Sequence, residues 1–305
     1  MLKVFLLIVV GLAGDPEHGE TFTRWADSLA AASTRLGVTS ERLIYLSSQD
    51  VQDGPVSGRA TREQVTAALE RFAAEAGPDD LVFVTLIGHG SFDGRNARFN
   101  MPGPDMGPAD FGALLRTLQT NKVVFVNTTS ASGPFIEELS GQGRTIVAAT
   151  RSGAEHYTTL FGGYFVDALS VAGADADKNN RISVLEAFRY AKAEVEQAYE
   201  REGLLATEHA LLDDNGDGEG SADPSPTGAD GRIAAVLSLG DASTDDLPTD
   251  PQLRALYLER RDLERRIEAL RLLKDSMAPA RYAAQLEELA TSIALKTREI
   301  RAAER

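Results

Sequence analysis

Five short apolar runs, Val4–Val10, Arg42–Leu46, Leu81–Ile87, Val123–Val126 and Thr145–Ala149, alternate with stretches of helical period. Each run is nearly unbroken, as in strands covered on both faces. Helices are expected between them at Glu20–Leu36, Thr61–Ala76, Pro108–Gln119 and Phe161–Ala172. The second of these carries its own punctuation: Thr61 and Gln64 have capping-box spacing, and Gly77-Pro78 stops it. This order predicts an α/β fold, a mostly parallel sheet with helices on both faces. Right-handed crossovers then bring the carboxyl ends of the strands to one edge.

The pattern changes after about residue 210. From Asp213 to Pro251 the chain is rich in Gly, Asp, Ser and Pro and reads as loop and linker, with one island, Arg232–Leu239, expected as a last strand. Beyond it, Leu256, Leu263, Leu270 and Met277 recur by sevens, with Leu253 and Ile267 filling the stripe. A second stripe runs through Tyr282, Leu286, Leu289, Ile293 and Ile300. Two such helices joined near Met277–Pro279 predict an antiparallel, coiled-coil-like hairpin over 250–305. The organisation expected is an α/β domain over 1–240, a linker over 241–249 and the hairpin.

Composition narrows the function. A formal charge of −15 argues against a nucleic-acid partner, whose phosphates need basic surface, and leaves calcium or basic partners open. With no cysteine, disulfides, thiolate catalysis and Cys-ligated zinc are excluded. No apolar run approaches the roughly 18–20 residues of a membrane span. The opening "MLKVFLLIVVGLAGDPEHGE" imitates a signal peptide, but acidic residues follow at once and it reads as a buried first strand. The compartment stays open: exported or periplasmic if a signal precedes this chain, otherwise cytoplasmic.

Two strand ends carry chemistry. "LIGHGSFDG" sets His89 between glycines, which leave the imidazole uncovered and the Gly90 N–H unhindered. A general base beside an oxyanion donor is built this way. "VVFVNTTSASG" runs from a buried strand into hydroxyl residues that include Ser130 and Ser132. Adjacent parallel strands bring His89 and Ser130 to the same edge.

These two segments resemble the paired signature of the caspase–legumain group of cysteine peptidases, bacterial legumain-like (peptidase C13-like) proteins above all. In that group one strand ends in Gly-His-Gly and another in an acid, Ala, Cys and then Ser-Gly. "TIVAATRSGAEHYTTLFGGYFVDAL" is similar to the segment that follows, with Glu155 and Phe161-Gly162-Gly163 in matching places. The resemblance covers roughly residues 1–210. It implies a caspase-like three-layer sandwich, a dyad at His89 and Ser130, and Gly90 as the oxyanion donor. It also implies substrate contacts at Ser132 and Arg151; read from the residues alone, Arg151 is a surface arginine. The family's Cys falls on Ser130 and its preceding acid on Thr128. A serine hydroxyl, unlike a thiol, depends fully on a well-placed base.

"DADKNNRISVLE" sets Asp175, Asp177, Asn179, Arg181, Ser183 and Glu186 at positions 1, 3, 5, 7, 9 and 12 of a calcium loop, Arg181 through its carbonyl. Asn180 stands where glycine is expected. The same residues serve equally as a helix start, with Ser183 and Glu186 as a capping box. In "LLDDNGDGEGS", Asp213, Asn215 and Asp217 repeat the spacing, but Pro224 occupies position 12, and an acidic glycine turn is the expected reading. His209 is expected to be structural.

Three classes follow. One is a pseudopeptidase that binds peptide or protein, at the pocket or through the hairpin, with self-association as a further use of the hairpin. Another is a serine-variant endopeptidase or amidase using Ser130 and His89. The third is a calcium-stabilised structural protein.

Overall fold

The computed structural model describes residues 3–49, 55–169, 172–179, 181–238, 248, 250–272 and 277–304. Its strands are β1 (Val4–Val10), β2 (Leu43–Ser47), β3 (Gly58–Arg59), β4 (Leu81–Ile87), β5 (Gly90–Phe92), β6 (Ala97–Phe99), β7 (Val123–Asn127), β8 (Arg144–Ala148) and β9 (Leu211–Asp213). The helices are α1 (Pro16–Ala32), α2 (Arg62–Glu75), α3 (Pro108–Leu115), α4 (Phe135–Leu139), α5 (Phe161–Ala168), α6 (Val184–Glu202), α7 (Pro251–Leu272) and α8 (Pro279–Ala303). The chain divides into two compact units, Met1–Ala242 and Ser243–Arg305.

In the first unit a seven-stranded sheet has the order β3-β2-β1-β4-β7-β8-β9, parallel throughout except for β9. Alternate residues of β1 feed two different cores, which is why the run is apolar at every position. Leu6, Ile8 and Val10 meet Phe22 and Leu29 of α1, Phe161 and Phe165 of α5 and Phe188 of α6. Phe5, Leu7 and Val9 share a core with Leu69 and Phe72 of α2, Phe111 of α3 and Phe135 of α4. This three-layer α/β arrangement is the caspase-like sandwich expected. A small antiparallel hairpin, β5–β6, follows β4.

The four expected helices form, with shifted ends. α1 begins four residues early because Asp15 accepts the His18 N–H and Pro16 fits the first turn. α2 is capped as expected by Thr61, which accepts the Gln64 N–H. The expected strand at Arg232–Leu239 is a correction. Residues 232–236 are turns, Ser238 makes only an isolated bridge to Ser183, and Leu239 lies outside the described residues. The cause is Asp214, whose carboxylate accepts the Gly231 and Ala234 N–H groups and curls the segment. The sheet ends instead on β9, in a stretch read as the start of a loop. Among the described residues no helix is long and apolar enough to cross a membrane.

In the second unit α7 and α8 form the hairpin. Tyr257 Oη donates to Glu304 and Lys296 pairs with Glu259, so the start of one helix meets the end of the other. Leu270 and Leu289 of the two stripes are buried, and Leu263, Ile267, Leu286 and Ile293 are half-buried.

Candidate functional site

Register explains why His89 and Ser130 share an edge. β4 and β7 pair Leu86 with Asn127, and each candidate lies three residues beyond its partner. His89 and Ser130 therefore leave adjacent parallel strands side by side. Gly90 has to be glycine because a Cβ there would collide with the Ser130 carbonyl.

The Ser130 hydroxyl closes onto the Gly90 backbone. Its Oγ accepts the Gly90 N–H at 3.2 Å and donates to the Gly90 carbonyl at 3.0 Å. Ser130 is only 2% exposed. The neighbouring hydroxyls are also engaged. Thr128 donates to the Leu86 carbonyl and Thr129 to Asn127 Oδ1. Ser132 Oγ is buried, shares a hydrogen bond with Thr150 and accepts the Thr150 N–H. Ala131 adopts a left-handed φ of 53°, which costs a non-glycine residue about 1–2 kcal/mol. Its N–H is held by the Glu155 carbonyl at 2.7 Å.

His89 Nε2 lies 2.9 Å from the Ala13 carbonyl. A carbonyl only accepts, so this nitrogen carries the proton and Nδ1 keeps the lone pair of the neutral ring. The imidazole packs edge-on against His18 and Phe22, with centroids 4.9 and 5.1 Å away. Burial pulls its pKa below the ordinary histidine value, and His18 adds to this; the Ala13 hydrogen bond and Asp15 oppose it. His89 does not hydrogen-bond Ser130. The imidazole is nonetheless held by the Ala13 carbonyl, and the Gly90 N–H is directed at the Ser130 hydroxyl.

Glu155 forms a second centre. Its carboxylate accepts the N–H groups of Arg151 and His209, and meets Arg151 Nε at 3.0 Å and His209 Nδ1 at 2.7 Å. The Arg151 side chain is otherwise 62% exposed. Glu208, next to His209, is buried and accepts the Leu160 and Phe161 N–H groups where α5 begins. Burial pushes its carboxyl above the ordinary glutamate value. Sequence reasoning matched Glu155 by position but missed its grip on Ala131 and the whole of Glu208. It missed Ala13 too, because a backbone carbonyl has no residue signature. Leu12, Phe92, Tyr157 and Leu160, in segments that follow strand carboxyl ends, are exposed.

The 175–186 loop lies apart in sequence from these groups. One carboxylate oxygen from each of Asp175, Asp177 and Glu186 falls within 4.8 Å of the others. Asn179 donates its N–H to both aspartates. Ser183 and Glu186 also form a reciprocal capping box at the start of α6. Burial raises the Asp177 pKa, and the charges of Glu186 and Asp175 raise it further. Arg181 is half-buried in the loop, and Asn180 lies outside the described residues.

No curated protein matches this chain. The crystal structure of protein GSU0716 from Geobacter sulfurreducens matches at 13% identity and a TM-score of 0.44, over 69% of this chain and 92% of that one. The model of the Peptidase C13 family matches residues 13–211, from the Ala13 carbonyl that holds His89 to the first residue of β9. That span takes in both strand ends and the Glu155 centre, and the chain belongs to the peptidase C13 family.

Proposed function

We propose that this family member is a pseudopeptidase, which holds a peptide or protein at the His89–Ser130 edge without cutting it and acts as a binding or regulatory subunit. One observation carries the reading: the buried Ser130 hydroxyl is bonded on both sides to Gly90. A serine attacks only when a base takes its proton. Here that proton goes to a backbone carbonyl, and the N–H that would stabilise an oxyanion is engaged by the serine itself. The exposed Leu12, Phe92 and Tyr157 supply apolar surface for a peptide. The helical hairpin is proposed as a site for a partner or for self-association.

The rival reading, a serine endopeptidase or amidase, draws on the His89–Ala13 hydrogen bond, which leaves Nδ1 as an oriented base. In a third reading calcium at Asp175, Asp177, Asn179, Ser183, Glu186 and the Arg181 carbonyl stabilises a scaffold with no task for the pocket.

The test compares the natural chain with Ser130→Cys. The natural chain is expected to resist acylation by peptide fluorophosphonates and to leave peptides with Asn, Asp or Arg before the scissile bond uncut. Ser130→Cys is expected to hydrolyse them measurably, because base, oxyanion donor and turn are retained and a thiol is already partly ionised at neutral pH. Hydrolysis by the natural chain that vanishes in both Ser130→Ala and His89→Ala would establish the serine enzyme. Peptide bound but never cut by either chain marks a reader of peptides, and no binding marks the scaffold.

A further inference from the structure

The loop that leaves β9 holds a buried group with no partner. Asp213, the last residue of β9, is 1% exposed. Its Oδ1 accepts the Gly216 N–H at 3.0 Å, whereas its Oδ2 is out of reach of solvent and has no hydrogen-bond partner. A buried carboxyl oxygen without a partner is unfavourable unless a cation or donor meets it.

Further oxygen-bearing side chains follow in the loop. Asn215 and Asp217 follow at two-residue steps, with Gly218 after them at a φ of 79°. Asn215 Oδ1 accepts the Asp217 N–H, and Asp217 Oδ1 accepts that of Glu219, so the loop curls around its own side-chain oxygens. Both side chains are exposed, and the Asn215 amide donates to Asp217 Oδ2 at 2.9 Å. Asp214 takes no part, because its two oxygens are bonded to the Gly231 and Ala234 N–H groups. Those two bonds bring Asp230 back against the loop. Asp230 is buried and its Oδ1 accepts the Asp214 N–H at 3.1 Å. Burial first, then the charges of Asp213, Asp214 and Asp217, push its carboxyl up to about 6.

We propose that Asp213, Asn215, Asp217 and Asp230, with the Glu219 carbonyl, bind a calcium-class divalent cation. Asp230 supplies the carboxylate that position 12 of the loop, Pro224, cannot. The ligand set is oxygen only, with no imidazole or thiolate, which selects calcium or magnesium over zinc. A set of two exposed side chains and two buried aspartates suits calcium, which accepts irregular shells, better than magnesium. The ion would tie the edge strand β9 to the turn at Gly231–Ala234. The site shares no residue with the 175–186 loop or with the His89–Ser130 edge.

Calcium titration calorimetry and equilibrium dialysis on the full chain test the proposal, with Glu186→Gln, Asp217→Asn and Asp230→Asn beside the natural protein. Calcium binding is expected to persist in Glu186→Gln and to weaken about tenfold or more in Asp217→Asn and Asp230→Asn, since affinity follows the number of charged ligands. Asp217 is exposed and its bonds are local, so that variant reports even if Asp230→Asn fails to fold. The proposal is overturned if the natural chain binds no calcium at millimolar concentration, if Glu186→Gln abolishes all binding, or if Asp217→Asn keeps the stoichiometry and affinity of the natural chain.

Discussion

Replacing Ser130 by alanine separates a hydroxyl that holds the fold from one kept for attack. The substitution removes one bond donated to the Gly90 carbonyl and one accepted from its N–H. Because the position is only 2% exposed, water does not readily take the place of the lost oxygen. Each net bond is worth about 1 kcal/mol, and an orphaned buried donor adds to the loss, giving about 2–3 kcal/mol. For a unit of this size each kcal/mol moves the melting temperature by roughly 2–4 °C, so a fall of about 4–12 °C is expected. Scanning calorimetry or thermal circular dichroism of Ser130→Ala reads it directly. Ser130→Thr, which keeps the hydroxyl but adds a methyl in a packed site, controls for packing. A melting temperature within ~1 °C of the natural protein would mean that the Gly90 bonds contribute nothing net, and would remove the observation on which the pseudopeptidase reading rests.

Three further outcomes are expected. Burial raises the folded-state pKa of Glu208, so its contribution to stability is present at low pH and is lost as pH rises from the ordinary glutamate range through the raised value. Melting temperature plotted against pH should therefore fall over that window in the natural chain, and Glu208→Gln should flatten it. If the 175–186 loop binds calcium, Glu186→Gln should reduce the rise in melting temperature that calcium produces, by mass action on the folded state; equal calcium responses in the two chains would leave Glu186 as a capping residue only. Residues 1–242, the first compact unit, should melt cooperatively without the hairpin, while light scattering or partner capture should change on its removal; unchanged mass and partners would count against an interaction role for α7 and α8.

Much of the fold was legible because its signals are local. The runs at Val4–Val10 and Leu81–Ile87 are strands to the residue, since a chain buried on both sheet faces has no polar positions to blur its ends. Thr61 marked the start of α2 because a cap acts over three residues. Arg232–Leu239 misled for the opposite reason. Its apolar composition suits a strand, but the Asp214 carboxylate, about twenty residues earlier, bends it into turns.

The sequence by itself determined the α/β class, the helical hairpin and the placing of His89 and Ser130 at strand carboxyl ends. It did so through apolar period and strand-end motifs, which are properties of neighbouring residues. Only the tertiary structure decided what those residues touch. The Ala13 carbonyl that orients His89 is 76 positions away, and the Gly90 backbone that closes on Ser130 is 40 away. Glu155 and His209 meet across 54, and Asp230 reaches the Asp214 N–H across 16. Such contacts are set by strand register and loop closure, and in several of them one partner is a backbone group that every residue carries. No residue type announces them, so they exist only once the chain has folded.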